Sequence, residues 1–322
     1  MSLFIRLVSF FVLAVAAVHA GAQSYPAKAV RIIVPFPPGA GVDIVTRAVS
    51  GRLGEALGQQ VIVDNRAGAG GILGAEVAAK AAPDGYTVFM ATAGILTVIP
   101  HMNSKAPYSV ERDFIPVSQV ASVPSVLVVH PSMPVKTVKD LISLAKAKPG
   151  AINYASTGNG TLPHLAAEFF KQQAKVNMVH IAYKGSAPAT TDLLGGNVHV
   201  FFGNMLSVIE QVRAGRLRAL AVTSLQRQAV AQDIPTMIES GFPGFEAGTW
   251  FGLLVPTGTP RDVVARLHGD VAKAVRQPDV QKQLAGQGAT TIGNTPEQFS
   301  AYIKSESAKW AKVLVASGVK AD

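Results

Sequence analysis

The sequence predicts an α/β protein built as two lobes with a cleft between them. Three observations carry that expectation. Short β-rich runs alternate with helix-period segments from Ala29 almost to the end, each pair is joined through a loop containing Gly or Pro, and the alternation falls into two blocks. With 322 residues, 48% of them apolar and 15% charged, the chain can bury two cores and is not a disordered segment.

Residues 1–22 read as an export signal rather than as structure. Arg6 is their only charge, Leu7 to Val18 is an apolar run too short to span a bilayer, and Ala20-Gly21-Ala22 supplies a small-residue cleavage pattern. The chain has no cysteine, so disulfides, Cys-based metal sites and lipid attachment after the cleavage point are excluded.

The first lobe is expected to comprise residues 23–120 and 225–322. Strands are expected at Val30 to Val34, Gln60 to Asp64 and Thr87 to Ala91, with helices at Val42 to Leu57 and Gly71 to Ala81. Ile44, Val45, Ala48, Val49, Leu53 and Leu57 make the apolar stripe of the first helix. The second lobe, residues 121–224, is expected to carry strands at Val126 to His130, Ile152 to Ser156, Met178 to Ala182, Val198 to Phe202 and Leu217 to Thr223. Its helices are expected at Val138 to Ala147, Leu162 to Gln173, Ala187 to Leu194 and Leu206 to Arg213. A last strand, Trp250 to Val255, with Trp250 and Phe251 in the core, and three helices to about Val315 then return to the first sheet. The chain so crosses between lobes near Val120 and near Ser224.

Three loops have the composition of anion cradles. Pro35-Phe36-Pro37-Pro38-Gly39-Ala40-Gly41-Val42-Asp43 stops a strand, turns on glycine and opens a helix, so unpaired amides and the positive helix end point into it. Asp43 there equally suits a plain helix-start role. Ser156-Thr157-Gly158-Asn159-Gly160-Thr161-Leu162-Pro163-His164 repeats the arrangement, and Tyr183-Lys184-Gly185-Ser186 adds the one cation beside such a turn. Amides should outweigh Lys184, because a charge-assisted hydrogen bond is worth about 1.5 to 3 kcal/mol and an exposed ion pair about 0 to 1.

Enzyme signatures are near misses. Gly68 to Gly74 has Leu73 where a dinucleotide fingerprint needs its third Gly, which leaves a Gly-rich helix start near the cleft. Ser156 lacks the flanking Gly of a nucleophile elbow. His164 and Glu168 fit either a metal-binding pair without a third ligand or a simple i,i+4 pair. His199, ahead of Gly203-Asn204 in an apolar strand, is either structural or a reader of the ligand's far end; the latter reading puts it at the C-terminal edge of the strand, where α/β sheets bind ligands. No cofactor is expected. The net charge of +9 comes from scattered Lys and Arg without a basic run, so an acidic small molecule accounts for it better than nucleic acid does.

Six segments in order, among them FPPGAGVDIVTR, VIVDNRAGAGGILGAEVAA, DGYTVFMATAG and NYASTGNGTLPHLAAEFF, resemble the Bug family of exported solute receptors associated with tripartite tricarboxylate transporters. The resemblance covers essentially the whole mature chain. It implies a flytrap-like, type II periplasmic binding protein fold that closes on a small carboxylate, leaves it unchanged and passes it to membrane subunits; a monomer is expected. It places ligand contacts on Pro38, Gly39, Ala40 and Gly41, on Thr157, Gly158, Asn159, Gly160 and Thr161, and on Thr92, Ala93 and Gly94. Asp43, His164, Lys184, Gly185 and Asn204 join them as cleft candidates. Family receptors for acidic amino acids commonly carry Asp where this chain has His199, which argues against an ammonium-bearing ligand. The competing expectation is an α/β hydrolase or lyase acting on a small carboxylate, with Ser156, His164 or Glu168 as its chemistry.

Overall fold

The computed structural model describes residues 25–103 and 105–317, so the expected export signal lies outside the described residues. Two sets of three parallel strands frame one curled sheet. In the first set β1 (Val30–Val34) lies between β2 (Val61–Asn65) and β3 (Thr87–Thr92), all parallel. In the second, β5 (Asn153–Ser156) lies between β6 (Val179–Ala182) and β7 (Val200–Asn204). Two antiparallel strands join the sets: β4 (Phe114–Val129) and β9 (Gly248–Pro256) give the order β2-β1-β3-β9-β4-β7-β5-β6. Two more strands, β8 (Arg218–Val222) and β10 (Thr290–Thr291), also pair with β4.

Parallel strands buried on both faces need continuous apolar runs. β1 reads VRIIV, and β3 and β7 are buried at every position. Helices cover the faces. The helix Gly41–Leu57 buries Val42, Val45, Val49, Leu53 and Leu57 and ends at Gly58, whose φ of 69° makes the left-handed cap that glycine adopts without strain.

The sixteen residues of β4 hold the molecule together and were half missed by the sequence reading. Phe114 to Pro124 pair with β9, whereas Ser125 to Val129 pair with β7 and β8, so the strand changes partners between Pro124 and Ser125. Pro116 and Pro124 hid its first half, since proline inside an apolar run argues against a strand; in the structure the register shifts beside Pro116. Met237, Phe242, Phe245 and Ala247 join Leu127, Val129, Tyr154, Phe170 and Phe202 in the core under the second set of strands, while Ala231 and Ile234 pack in the larger core. At the crossing Thr223 donates its backbone N–H to Ser125 O at 2.9 Å, and Ala247 donates its own to Thr223 O at 3.3 Å.

Candidate functional site

β1, β3, β5 and β7 deliver their C-terminal ends to one place. The first loop is fixed by its own polar groups. Gly39, at φ 81°, donates its amide to Asp43 Oδ2 at 2.9 Å, and Ala40 donates to Pro37 O at 3.2 Å. Asp43 also accepts from Arg47 Nε and Asn65 Nδ2, both at 3.0 Å, while Asn65 Nδ2 donates to Phe36 O. Burial opposes ionisation of Asp43, but the bonds from Arg47, Gly39 and Asn65 outweigh it and hold the carboxyl below its usual range. Asp43 therefore braces the loop. The amides left to a ligand are those of the first helical turn, Gly41 and Val42, which have no acceptor inside the helix.

The second loop is braced in the same manner. Gly158 N–H donates to Ser156 Oγ at 3.1 Å, Gly160 N–H to His164 Nδ1 at 3.2 Å, and Thr161 N–H to Gly158 O at 3.3 Å. His164 stacks on His180 with ring centroids 4.0 Å apart and planes 6° from parallel, and Tyr154 stacks on His180 at 4.9 Å. His180 Nε2 lies 2.6 Å from Ser156 Oγ.

A pocket opens between these loops, lined by Phe36, Ala40, Gly41, Val42, Thr92 and Gly94 from one side and by Thr157, Thr161, Leu162, Pro163, Ser186 and Asn204 from the other, with Ser125, Thr249 and Phe251 at the crossing strands. Five helices begin at it: Gly41–Leu57, Ala93–Thr97, Leu162–Ala174, Ser186–Leu194 and Met205–Arg213 each place a first-turn or N-cap residue in the lining. None of the lining residues is charged. With no charged side chain in the lining, what favours an anion there is the aligned amides of the longer helices, each equivalent to about half an elementary charge at its N-terminus. The space open to the centres of water-sized molecules is about 50 Å³, room for several waters, each of which needs at least about 10 to 15 Å³ on that measure.

Of the residues singled out from sequence, Ala40, Gly41, Thr92, Gly94, Thr157, Thr161 and Asn204 line the pocket. Pro38, Gly39, Ala93, Gly158, Asn159, Gly160, His164 and Gly185 stand behind or beside it, and Lys184 is exposed. His199 departs most from its expected place. It precedes β7, so it sits at the N-terminal end of the strand whose C-terminal residue, Asn204, reaches the pocket. There its backbone N–H donates to Asn153 O at 3.0 Å and its Nδ1 accepts from Asn153 N–H at 2.9 Å. Sequence reasoning missed Phe36, Val42, Ser125, Leu162, Pro163, Ser186, Thr249 and Phe251; Thr249 and Phe251 share one face of β9 by the period of two, with Trp250 turned to the core.

The two sides meet backbone to backbone. A Cβ at Gly70 would lie 3.2 Å from Asn159 O, one at Gly158 3.3 Å from Gly70 Cα, and one at Gly185 3.0 Å from Pro37 Cδ. The Gly-rich segment after β2 is thus a short turn followed by a helix, Ile72–Ala79, pressed against the second loop.

Ser156 meets a histidine, but it is His180 and not His164; the serine is fully buried and its hydroxyl is engaged with Gly158. Glu168 takes bonds from Tyr154 Oη and from Lys171 Nζ at 2.6 Å; burial opposes its ionisation, and those two partners hold its carboxyl below the usual range. Among the described residues no group of three His, Cys, Asp or Glu is placed to hold a metal.

Residues 45–319 match the family described as Tripartite tricarboxylate transporter family receptor. The chain belongs to this receptor family. Protein BugT of Bordetella pertussis is 40% identical over 93% of this chain and 92% of its own length. Among solved structures, the periplasmic binding protein BugD is 34% identical with a TM-score of 0.89, covering 92% of this chain and 99% of its own. Rpa4515 of R. palustris, solved with adipate, is 35% identical with a TM-score of 0.90, covering 92% and 99%. A family receptor is a solute-binding protein, and the fold here is that of periplasmic binding proteins. Among the described residues no helix is long and apolar enough to cross a membrane.

Proposed function

We propose that the chain is an exported, periplasmic receptor that captures a small organic carboxylate without an ammonium group, returns it chemically unchanged and delivers it to membrane subunits of a transporter. One observation carries this reading: five helix N-termini converge on a pocket with no charged side chain. An anion is stabilised there by amides at about 1.5 to 3 kcal/mol per charge-assisted bond, so four such bonds approach the roughly 8 kcal/mol of micromolar binding. An ammonium group would be repelled by the same dipoles and would find no carboxylate to pair with. The apolar walls Phe36, Leu162, Pro163 and Phe251 favour a ligand whose body is hydrocarbon, as in adipate.

The receptor works by opening. Its pocket lies between loops carried by the two sets of strands, so their separation admits and releases the ligand. We place the lobe boundaries at Pro124/Ser125, where β4 exchanges β9 for β7, and about Ala247/Gly248, where the chain enters β9. The buried Ser156–His180 contact serves loop geometry, which is why a hydrolase or lyase reading is set aside. Thermal-shift screening against adipate, succinate, citrate, benzoate and glutamate, followed by mass analysis of the recovered ligand, tests the proposal. Stabilisation by a carboxylate recovered intact is expected; steady conversion of the ligand, or no response to any acid, overturns it.

A further inference from the structure

We infer that His164 is a positioning residue that acts as an uncharged substitute for a capping carboxylate, with His180 holding its ring in place, so that the second loop keeps its shape without putting negative charge beside an anion site. The inference rests on the proposed carboxylate-binding function. In a capping box the third residue of a helix, usually Glu or Gln, reaches back to accept the backbone N–H of the N-cap residue; here the reach extends one residue further, to Gly160, because the Thr161 N–H is taken by Gly158 O. The helix Leu162–Ala174 has Thr161 as its N-cap, makes no side-chain cap bond with it, and has Pro163, which lacks an N–H, at its second position. Its third residue is His164, and this side chain does the reaching, since Nδ1 accepts the Gly160 N–H at 3.2 Å.

A backbone amide can only donate, so His164 Nδ1 carries a lone pair and the neutral ring bears its proton on Nε2. The ring plane is set by its neighbours: His180 stacks on it 6° from parallel, Tyr154 backs His180, and Tyr154 in turn donates to Glu168, which Lys171 neutralises. His180 Nε2 lies 2.6 Å from Ser156 Oγ, which accepts the Gly158 N–H. The two glycine amides of the loop are therefore tied back, one to Ser156 and one to the stacked ring of His164, and Thr157, Thr161 and Leu162 are left in the pocket wall. A glutamate at position 164 would make the same bond; it would also stand one residue from Pro163, in the wall of a pocket that contains no charge of its own.

Three variants separate the acceptor from the charge and from simple packing: His164→Gln keeps a neutral acceptor, His164→Leu keeps apolar bulk without one, and His164→Glu keeps an acceptor with a charge. Two readouts are followed: hydrogen exchange of the Gly160 amide without ligand, and affinity for adipate by calorimetry. The expected order is that Leu speeds Gly160 exchange and weakens adipate about tenfold or more, Gln leaves both near wild type, and Glu protects Gly160 but weakens adipate about tenfold, which corresponds to about 1.4 kcal/mol. A packing role predicts instead that Leu is the mildest change and Gln the worst. Wild-type behaviour in Leu, or Gln no better than Leu, overturns the inference. If wild-type protein binds neither adipate nor any other carboxylate, the proposed function fails, while Gly160 exchange and the nitrogen NMR signature of an Nε2-protonated His164 still decide the positioning role. An Nδ1-protonated ring in the neutral protein contradicts it whatever the variants do.

Discussion

Asn204 and Gly41 face each other across the pocket so closely that a Cβ on Gly41 would lie 2.9 Å from Asn204 Cγ and Oδ1 and 3.1 Å from Nδ2. Asn204 Oδ1 accepts the Leu206 N–H at 3.0 Å, which fixes the side chain as the cap of its own helix. One residue comes from β7 and the other from the helix after β1, so their contact spans the two sides of the cleft.

Gly41→Ala should therefore spare the fold and weaken the ligand. Gly41 is the first residue of its helix and no positive φ is required of it, so alanine adds helix propensity while its methyl group presses on Asn204. We expect an affinity loss of about tenfold, or about 1.4 kcal/mol, with unchanged or slightly raised thermal stability. Adding Asn204→Ala should restore closure at a cost of about 1 kcal/mol in lost capping. Calorimetry with denaturation on the three proteins checks this; unchanged affinity in Gly41→Ala means the contact does not limit closure.

Asp43→Asn should loosen the first loop. The buried carboxylate holds Gly39, Arg47 and Asn65, and losing charge-assisted bonds of this kind costs about 1 to 3 kcal/mol, with little of it from Arg47, whose side chain is half exposed. Because the folded carboxyl lies below its unfolded value of about 3.9, its contribution is complete above that pH and is lost as pH falls through the lower, folded value. The stability gap between wild type and variant in urea should thus be flat from pH 8 to 5 and close only in the acid range. A gap that closes near neutrality points to another group.

How much could be read from the sequence depended on how local the signal was. The helices that begin at Gly41, Leu162 and Ser186 were legible because strand, glycine turn and apolar period follow each other within a few residues. The partner change in β4 was not, since only pairing with β9 and β7, more than seventy residues away, makes Pro116 and Pro124 part of a strand. The loop glycines were recognised but given the wrong bonds: Gly39, Gly158 and Gly160 turn the chain and spend their amides on Asp43, Ser156 and His164. His180 was missed because its only signal is spatial, a ring laid on His164 from the neighbouring strand.

His199→Asp should leave affinity unchanged within about twofold and reduce stability. His199 lies at the far end of β7 from the pocket, and its Nδ1 satisfies the Asn153 amide. Weakening that bond costs about 0.5 to 1.5 kcal/mol. Denaturation and calorimetry on one preparation test both halves; a strong affinity change would return His199 to the site.

Lys184→Ala should have almost no effect on binding at physiological salt. Lys184 is exposed and outside the pocket lining, and an exposed ion pair is worth about 0 to 1 kcal/mol. A loss of tenfold or more on the calorimeter would show that a cation, and not amides, holds the ligand.

Glutarate and glutamate differ only by an ammonium group, so titration calorimetry with the pair shows whether an uncharged, amide-ringed pocket selects a carboxylate that lacks that group. Glutarate should bind saturably and glutamate at least about a hundredfold more weakly, a difference of about 2.7 kcal/mol or more. Equal or tighter binding of glutamate would contradict this selection.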